Sequence, residues 1–307
     1  MRVLFAGTPA PAVPALEALV SSGHDVVAVL TRPDRRAGRG RTLTRSEVGV
    51  RADELGLPLL QPPTVRDAEF HARLRELELD VAAIVAYGGL IPPDALRIPR
   101  RGWVNLHFSL LPRWRGAAPV QHAIAAGDQV TGISTFELEE GLDTGPIYRQ
   151  VSMDICDTDT SGVLLDRLAH LGAEQLRGTI DDIDAGAQPT PQPTDDVRFA
   201  PKVEVDDVRV DFTATAAEID RLIRSATPAP GAWTMLGDQR LKLGPVTVTD
   251  EQLPAGTLEV RKREVLVGTA DRAVRLGDVQ PPGKKAMPAA DAARGARWAS
   301  GDLVGAR

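Results

Sequence analysis

The sequence predicts an α/β chain in which a doubly wound, mostly parallel sheet is followed by a smaller C-terminal β-barrel. Three observations carry this expectation. Short apolar runs alternate with longer amphipathic stretches up to about residue 185, a proline-rich polar segment then breaks the rhythm, and closely spaced short strand signals follow it. With 307 residues, 43% of them hydrophobic, the chain can bury two cores of ordinary size. The expected division is a domain over 1–187, a linker over 188–205 and a second domain over 206–307.

Taken in order, residues 3–6, 26–30, 81–86 and 104–108 are apolar runs too short for buried helices, and they read as strands. Amphipathic stretches at 13–20 and 70–77 supply the crossovers that parallel pairing requires. Two further strands fit 133–138 and 147–153, and a helix fits 161–183. The run Ala-Gly-Ala-Gln-Pro-Thr-Pro-Gln-Pro-Thr-Asp-Asp from Ala185 to Asp196 cannot sustain a regular element, which is why the linker is placed there. Beyond it, 208–212, 240–248, 256–260, 265–268 and 273–276 read as strands and 216–225 as a helix, a pattern suited to a small barrel.

The net charge of −6 excludes a globally basic nucleic-acid coat, so any RNA contact has to be local. Charge is unevenly spread, −7 over residues 1–205 and +1 over 206–307, which leaves the C-terminal part relatively the more basic. One segment departs sharply from its acidic surroundings. Between residues 32 and 45, Arg32, Arg35, Arg36, Arg39, Arg41 and Arg45 stand against Asp34 alone, and Pro33, Gly38 and Gly40 oppose a helix. Arginine matches phosphate bidentately, so the loop is a candidate RNA contact, with a solvated surface run as the plainer alternative.

Cys156 is the only cysteine, which leaves no intramolecular disulfide and suits a reducing compartment. The apolar run at the start is too short for a signal peptide, and nowhere do about 18 apolar residues follow one another. A cytoplasmic protein is expected. His24, His71, His122 and His170 show no ligand spacing, so no metal is expected. Gly7-Thr8-Pro9 lacks the three-glycine pattern of a dinucleotide site and reads as a tight strand-to-helix turn.

The densest chemistry lies in Asn105-Leu106-His107-Phe108-Ser109-Leu110-Leu111-Pro112-Arg113-Trp114-Arg115-Gly116-Ala117-Ala118-Pro119. On a strand, Asn105 and His107 are two apart and project from one face, which aims an amide donor and a titratable imidazole together. Pro112 makes Ser109 to Pro112 a loop at the carboxyl end of that strand, where open parallel sheets bind ligands. A second segment, Glu137 to Pro146, breaks a strand with Gly141, Gly145 and Pro146 and sets Asp143 on a turn. An amide donor suits a developing oxyanion, an imidazole of pKa about 6.5 suits proton transfer near neutrality, and a nearby carboxylate would orient it and raise its pKa.

Together with Phe5-Ala6-Gly7-Thr8-Pro9, Ala86-Tyr87-Gly88, Gly141-Leu142-Asp143-Thr144-Gly145 and Gln280-Pro281-Pro282-Gly283-Lys284-Lys285-Ala286-Met287, the Asn105 run resembles the methionyl-tRNA formyltransferase family over nearly the whole chain. The resemblance implies a formyltransferase catalytic domain joined to an oligonucleotide-binding-like (OB-like) barrel, with 10-formyltetrahydrofolate as donor and initiator methionyl-tRNA as acceptor. By that likeness Asn105, His107 and Asp143 fall on the catalytic positions. Ser109, Leu110, Leu111 and Pro112, with Tyr87 and Gly88, fall on the folate-binding stretches. Arg36, Arg39 and Arg41 belong to the loop that approaches tRNA, and Lys284 and Lys285 are further tRNA candidates on the barrel. A monomer is expected.

One departure is Phe108, where the family commonly has glycine; alternation turns it away from His107, so it bears on packing rather than chemistry. Three other readings stand beside this one: formylation of a ribonucleotide or nucleotide-sugar amine, hydrolysis of the formyl donor, and a non-catalytic folate- or RNA-binding module. Neither of the rival amine formyltransferases accounts for both the arginine loop and the C-terminal extension.

Overall fold

The computed structural model describes residues 1–37 and 42–305. Its first compact unit comprises residues 1–116, 130–154 and 165–200, and its second comprises 117–129, 155–164 and 201–307.

The first unit opens with β1 (Arg2–Gly7), α1 (Val13–Val20) and β2 (Asp25–Leu30), followed by a hairpin of β3 (Arg35–Ala37) and β4 (Thr42–Thr44). Next come α2 (Glu47–Glu54), β5 (Leu59–Leu60), α3 (Ala68–Glu76), β6 (Val81–Val85), α4 (Pro93–Leu96) and β7 (Trp103–His107). The chain then contributes α5 (Pro119–Ala126) to the second unit and returns as β8 (Val130–Glu137), β9 (Ile147–Asp154) and α6 (Ser161–Asp184). One seven-stranded sheet in the order β5-β2-β1-β6-β7-β8-β9 organises the unit. Pairing is parallel from β5 to β7, and β8 and β9 add on antiparallel.

Both alternating residue sets of the central strands are buried, Val3 and Phe5 as well as Leu4 and Ala6, because helices cover both faces. Leu4, Ala6, Ala82 and Ile84 pack with Phe70 and Leu74 of α3 and with Trp103. Strand order reverses between β1 and β6, so the crevice beyond their carboxyl ends is the place where such a sheet accepts ligands.

The second unit contains α7 (Ala216–Ser225) and two four-stranded antiparallel sheets around one core. β10 (Trp233–Leu236), β11 (Gln239–Leu243), β16 (Asp278–Gln280) and β17 (Met287–Pro288) form one sheet. β12 (Val246–Val248), β13 (Leu258–Val260), β14 (Val265–Gly268) and β15 (Ala273–Leu276) form the other, and α8 (Ala289–Ala296) follows. β11 runs into β12 through Gly244-Pro245 and β15 into β16 through Gly277, so a single strand pair passes from one sheet to the other at a corner.

The 208–212 segment is not the strand that its alternation suggests. Val208, Val210 and Phe212 are all buried, but the backbone forms a 3-10 turn at Asp206–Val208 and only one bridge, between Arg209 and Trp233. Alternating apolar residues report burial, not ladder hydrogen bonds. None of the helices among the described residues is long and apolar enough to cross a membrane.

Candidate active site

β7 sorts its side chains between two environments. Leu106 lies against Gly172 of α6, and its cross-strand partner Thr135 bonds Thr179 of the same helix. Asn105 and His107 therefore project from the opposite face, with Trp103. Cross-strand neighbours follow the same rule: Phe136 pairs with Asn105 and Ser134 with His107. The Phe136 ring stands edge-on to the imidazole at 6.4 Å between centroids and fixes its tilt. The half-buried Asn105 carboxamide makes no hydrogen bond to any described residue, which leaves its N–H groups uncommitted.

His107 is buried, and its Nε2 lies 2.8 Å from the Trp114 carbonyl oxygen. A carbonyl only accepts, so in the neutral ring Nε2 carries the proton and Nδ1 holds the free lone pair. Nδ1 faces Asp143, 3.8 Å from Oδ2. Asp143 is delivered by the Gly141–Gly145 turn with a left-handed backbone, φ +51°, a conformation aspartate tolerates better than most residues. Its Oδ2 also accepts a hydrogen bond of 2.7 Å from the Gly116 amide.

Burial pushes the His107 pKa below its ordinary value, while Asp143 and the Trp114 carbonyl pull it up less strongly. The expectation that the carboxylate leaves this imidazole with a raised pKa is thus corrected. Asp143 acts in the expected direction, but a sealed ring loses more hydration than a carboxylate at 3.8 Å restores.

The loop after β7 folds over this face. Ser134 Oγ donates to Ser109 O at 2.7 Å and accepts from Leu111 N at 3.0 Å, and Gln150 Nε2 bonds both Ser134 Oγ and Leu111 O. Ser109 Oγ closes the turn on Arg113 O. Ser109 and Leu111 are buried, and Leu110 sits over Gly132; Pro112 completes the turn. Tyr87 and Gly88 lie in the loop that follows β6, the parallel neighbour of β7. Thr8 Oγ1 bonds Tyr87 O, Arg32 bonds Gly88 O, and burial raises the Tyr87 phenol pKa. The sequence-predicted residues 87, 88 and 109–112 thus fall at the carboxyl ends of two adjacent parallel strands.

The remaining candidates belong to other segments of the chain. Arg36 is exposed on β3, where it pairs with Leu43 of β4, and Arg39 and Arg41 lie outside the described residues. Lys284 and Lys285 are exposed on the turn between β16 and β17.

Sequence reading missed Gly116 and Gln192. A signal existed for the first, as a glycine four residues after the Ser109–Pro112 loop is suited to positive φ, but none existed for the second. Gly116 has φ +126°, and a Cβ there would meet Ala200 O at 2.6 Å, backbone that cannot step aside cheaply. Gly116→Ala is expected to lose roughly 1–3 kcal/mol in urea unfolding from backbone strain alone. Wild-type stability in that variant would show that the loop relaxes freely.

Known proteins resemble this chain in sequence and in fold. The family described as Formyl transferase matches residues 1–180, and the one described as Formyl transferase, C-terminal domain matches residues 202–297. The methionyl-tRNA formyltransferase of Rhodococcus erythropolis is 59% identical over 97% of each chain, and that of Thermobifida fusca is 58% identical over 99% of each. Among solved structures, WlaRD, a sugar 3N-formyl transferase studied with dTDP and 5-N-formyl-THF, matches with a TM-score of 0.68 at 16% identity over 93% of this chain and 99% of that one. HypX from Aquifex aeolicus in complex with tetrahydrofolic acid matches with a TM-score of 0.67 at 17% identity over 100% of this chain and 51% of that one. At these identities the two structures share a fold with this chain.

Proposed function

This chain belongs to the methionyl-tRNA formyltransferase family, and on that premise we infer that Asn105, His107 and Asp143 are the residues that carry its reaction. The enzyme transfers a formyl group from 10-formyltetrahydrofolate to the amino group of methionyl-tRNA, giving the N-formylmethionyl-tRNA of translation initiation. The observation that carries the residue assignment is the combination on one face of β7: an uncommitted carboxamide beside an imidazole whose free nitrogen faces a carboxylate.

The chemistry follows from those groups. The amine nitrogen forms a bond to the formyl carbon, and the carbonyl electron pair moves onto oxygen. The Asn105 N–H groups meet that oxyanion. His107 Nδ1 takes the proton released by the attacking amine, and Asp143 stabilises the imidazolium that results. When the carbon–nitrogen bond to the folate breaks, the same proton goes to the departing N10. No covalent enzyme intermediate is needed.

The turns at 87–88 and 109–112 are the folate contacts in this reading, since they frame the end of the sheet where Asn105 and His107 project. The arginine-rich segment 32–45, with Arg36, Arg39 and Arg41 in its sequence, is a tRNA contact by its concentrated positive charge, and Lys284 and Lys285 are another. The three polar groups come from one chain, so a monomer is sufficient, and a reducing cytoplasm suits the lone Cys156. Purified protein, given labelled formyl donor, is expected to place the label on charged initiator methionyl-tRNA. Label passing instead to a nucleotide-sugar or ribonucleotide amine, or appearing as formate without any acceptor, would overturn this reading.

A further inference from the structure

The segment after α6 is exposed almost throughout from residue 184 to 199, and Gln192 is a half-buried exception. Two sets of backbone bonds pin the segment on either side of it. Thr190 exchanges bonds of 2.7 and 2.8 Å with Ile147 at the start of β9, and Arg115 bonds both Arg198 and Ala200. Between these anchors the Gln192 side chain turns inward. Its Nε2 donates to Asp143 O and Gly145 O, both at 2.8 Å, and its Oε1 accepts from Arg115 Nη2 at 2.7 Å and from Arg115 Nε at 3.3 Å.

This arrangement satisfies both donors and both acceptor sites of one primary amide. Reversing the amide would set its oxygen against two carbonyls and its N–H groups against a guanidinium, so the orientation is determined. The contacts also form a closed circuit. Arg115 precedes Gly116, whose amide holds the Asp143 carboxylate, while Gln192 ties the Asp143 and Gly145 carbonyls back to the Arg115 side chain. The Asp143 turn has a left-handed residue at its centre and no helix or strand of its own to keep it in place.

We propose that Gln192 is a positioning residue for formyl transfer, clamping the Asp143 turn so that its carboxylate stays opposite His107 Nδ1. The proposal rests on the catalytic reading of Asp143 given above. An unclamped turn displaces the carboxylate from the imidazole, and a displacement of about 1 Å at such a site typically costs on the order of 100-fold in rate.

The test is a double-mutant cycle on the full-length enzyme. Gln192→Ala, and Gln192→Met to retain the length of the side chain, are expected to lower kcat by roughly 10- to 100-fold with KM for methionyl-tRNA and formyl donor little changed. They should also move the acid limb of the pH profile further toward acid, the direction expected of Asp143→Asn, because Asp143 is what raises the proton affinity of His107. In an Asp143→Ala background the same substitutions are expected to cost less than about threefold, because the group they position is already gone. An equal loss in both backgrounds, or Gln192→Met at the wild-type rate while Asp143→Ala is slow, would overturn the clamp alone. Asp143→Ala at the wild-type rate would instead sink the catalytic reading itself. Thermal unfolding of each variant separates these outcomes from a failure to fold.

Discussion

Asn105→Ala is expected to lower kcat by roughly 100- to 1000-fold, the usual loss when a preorganised oxyanion donor is removed, with the fold intact. The carboxamide makes no hydrogen bond to a described residue, so truncating it leaves no partner unsatisfied inside the protein. It is held in place by the β7 backbone between β6, where it pairs with Ile84, and β8, where it pairs with Phe136, and those ladders do not depend on its side chain. The loss should therefore appear in kcat and kcat/KM together, with a thermal midpoint close to that of the wild type. A variant that turns over at near the wild-type rate would remove Asn105 from the reaction.

The second large effect concerns His107. His107→Asn is expected to reduce kcat/KM by roughly 100- to 10,000-fold, the range that general acid–base catalysis supplies. The wild-type profile provides a sharper check. Burial holds the imidazole neutral below its ordinary pKa of 6.5, so kcat/KM should stay flat through neutrality and fall only at more acidic pH, once Nδ1 is occupied. An acid limb at or above 6.5 would mean that the pull of Asp143 outweighs burial.

Stability follows the same sign. Below pH 6.5 the unfolded chain takes up a proton that the folded ring refuses, so the contribution of a neutral His107 is intact above that pH and is lost as pH falls through the lower folded value. In the His107→Asn variant this part of the acid sensitivity should disappear. Urea midpoints compared across that range measure it.

Several parts of the fold were legible because they depend on local pattern. The strands at β1, β2, β6 and β7 appear as apolar runs bounded by turns, and α6 as one long amphipathic stretch. α5 was overlooked although Pro119 at its start and Gly127 in left-handed conformation at its end are the expected punctuation. The β3–β4 hairpin was hidden by its charge, since arginine carries no strand signal. Strands β10, β16 and β17, of two to four residues, fall below the length at which alternation can be distinguished from chance.

By itself the sequence determined the class of the fold, the family, and the placing of Asn105 and His107 on one face, because a strand's period of two is a local property of its backbone. Only the tertiary structure decided which nitrogen of His107 faces Asp143, that burial outweighs the carboxylate in setting its proton affinity, and that Gln192 and Gly116 hold the turn. Solvent exclusion and hydrogen bonds between residues 49 positions apart are set by how the chain closes on itself, and no periodicity records them.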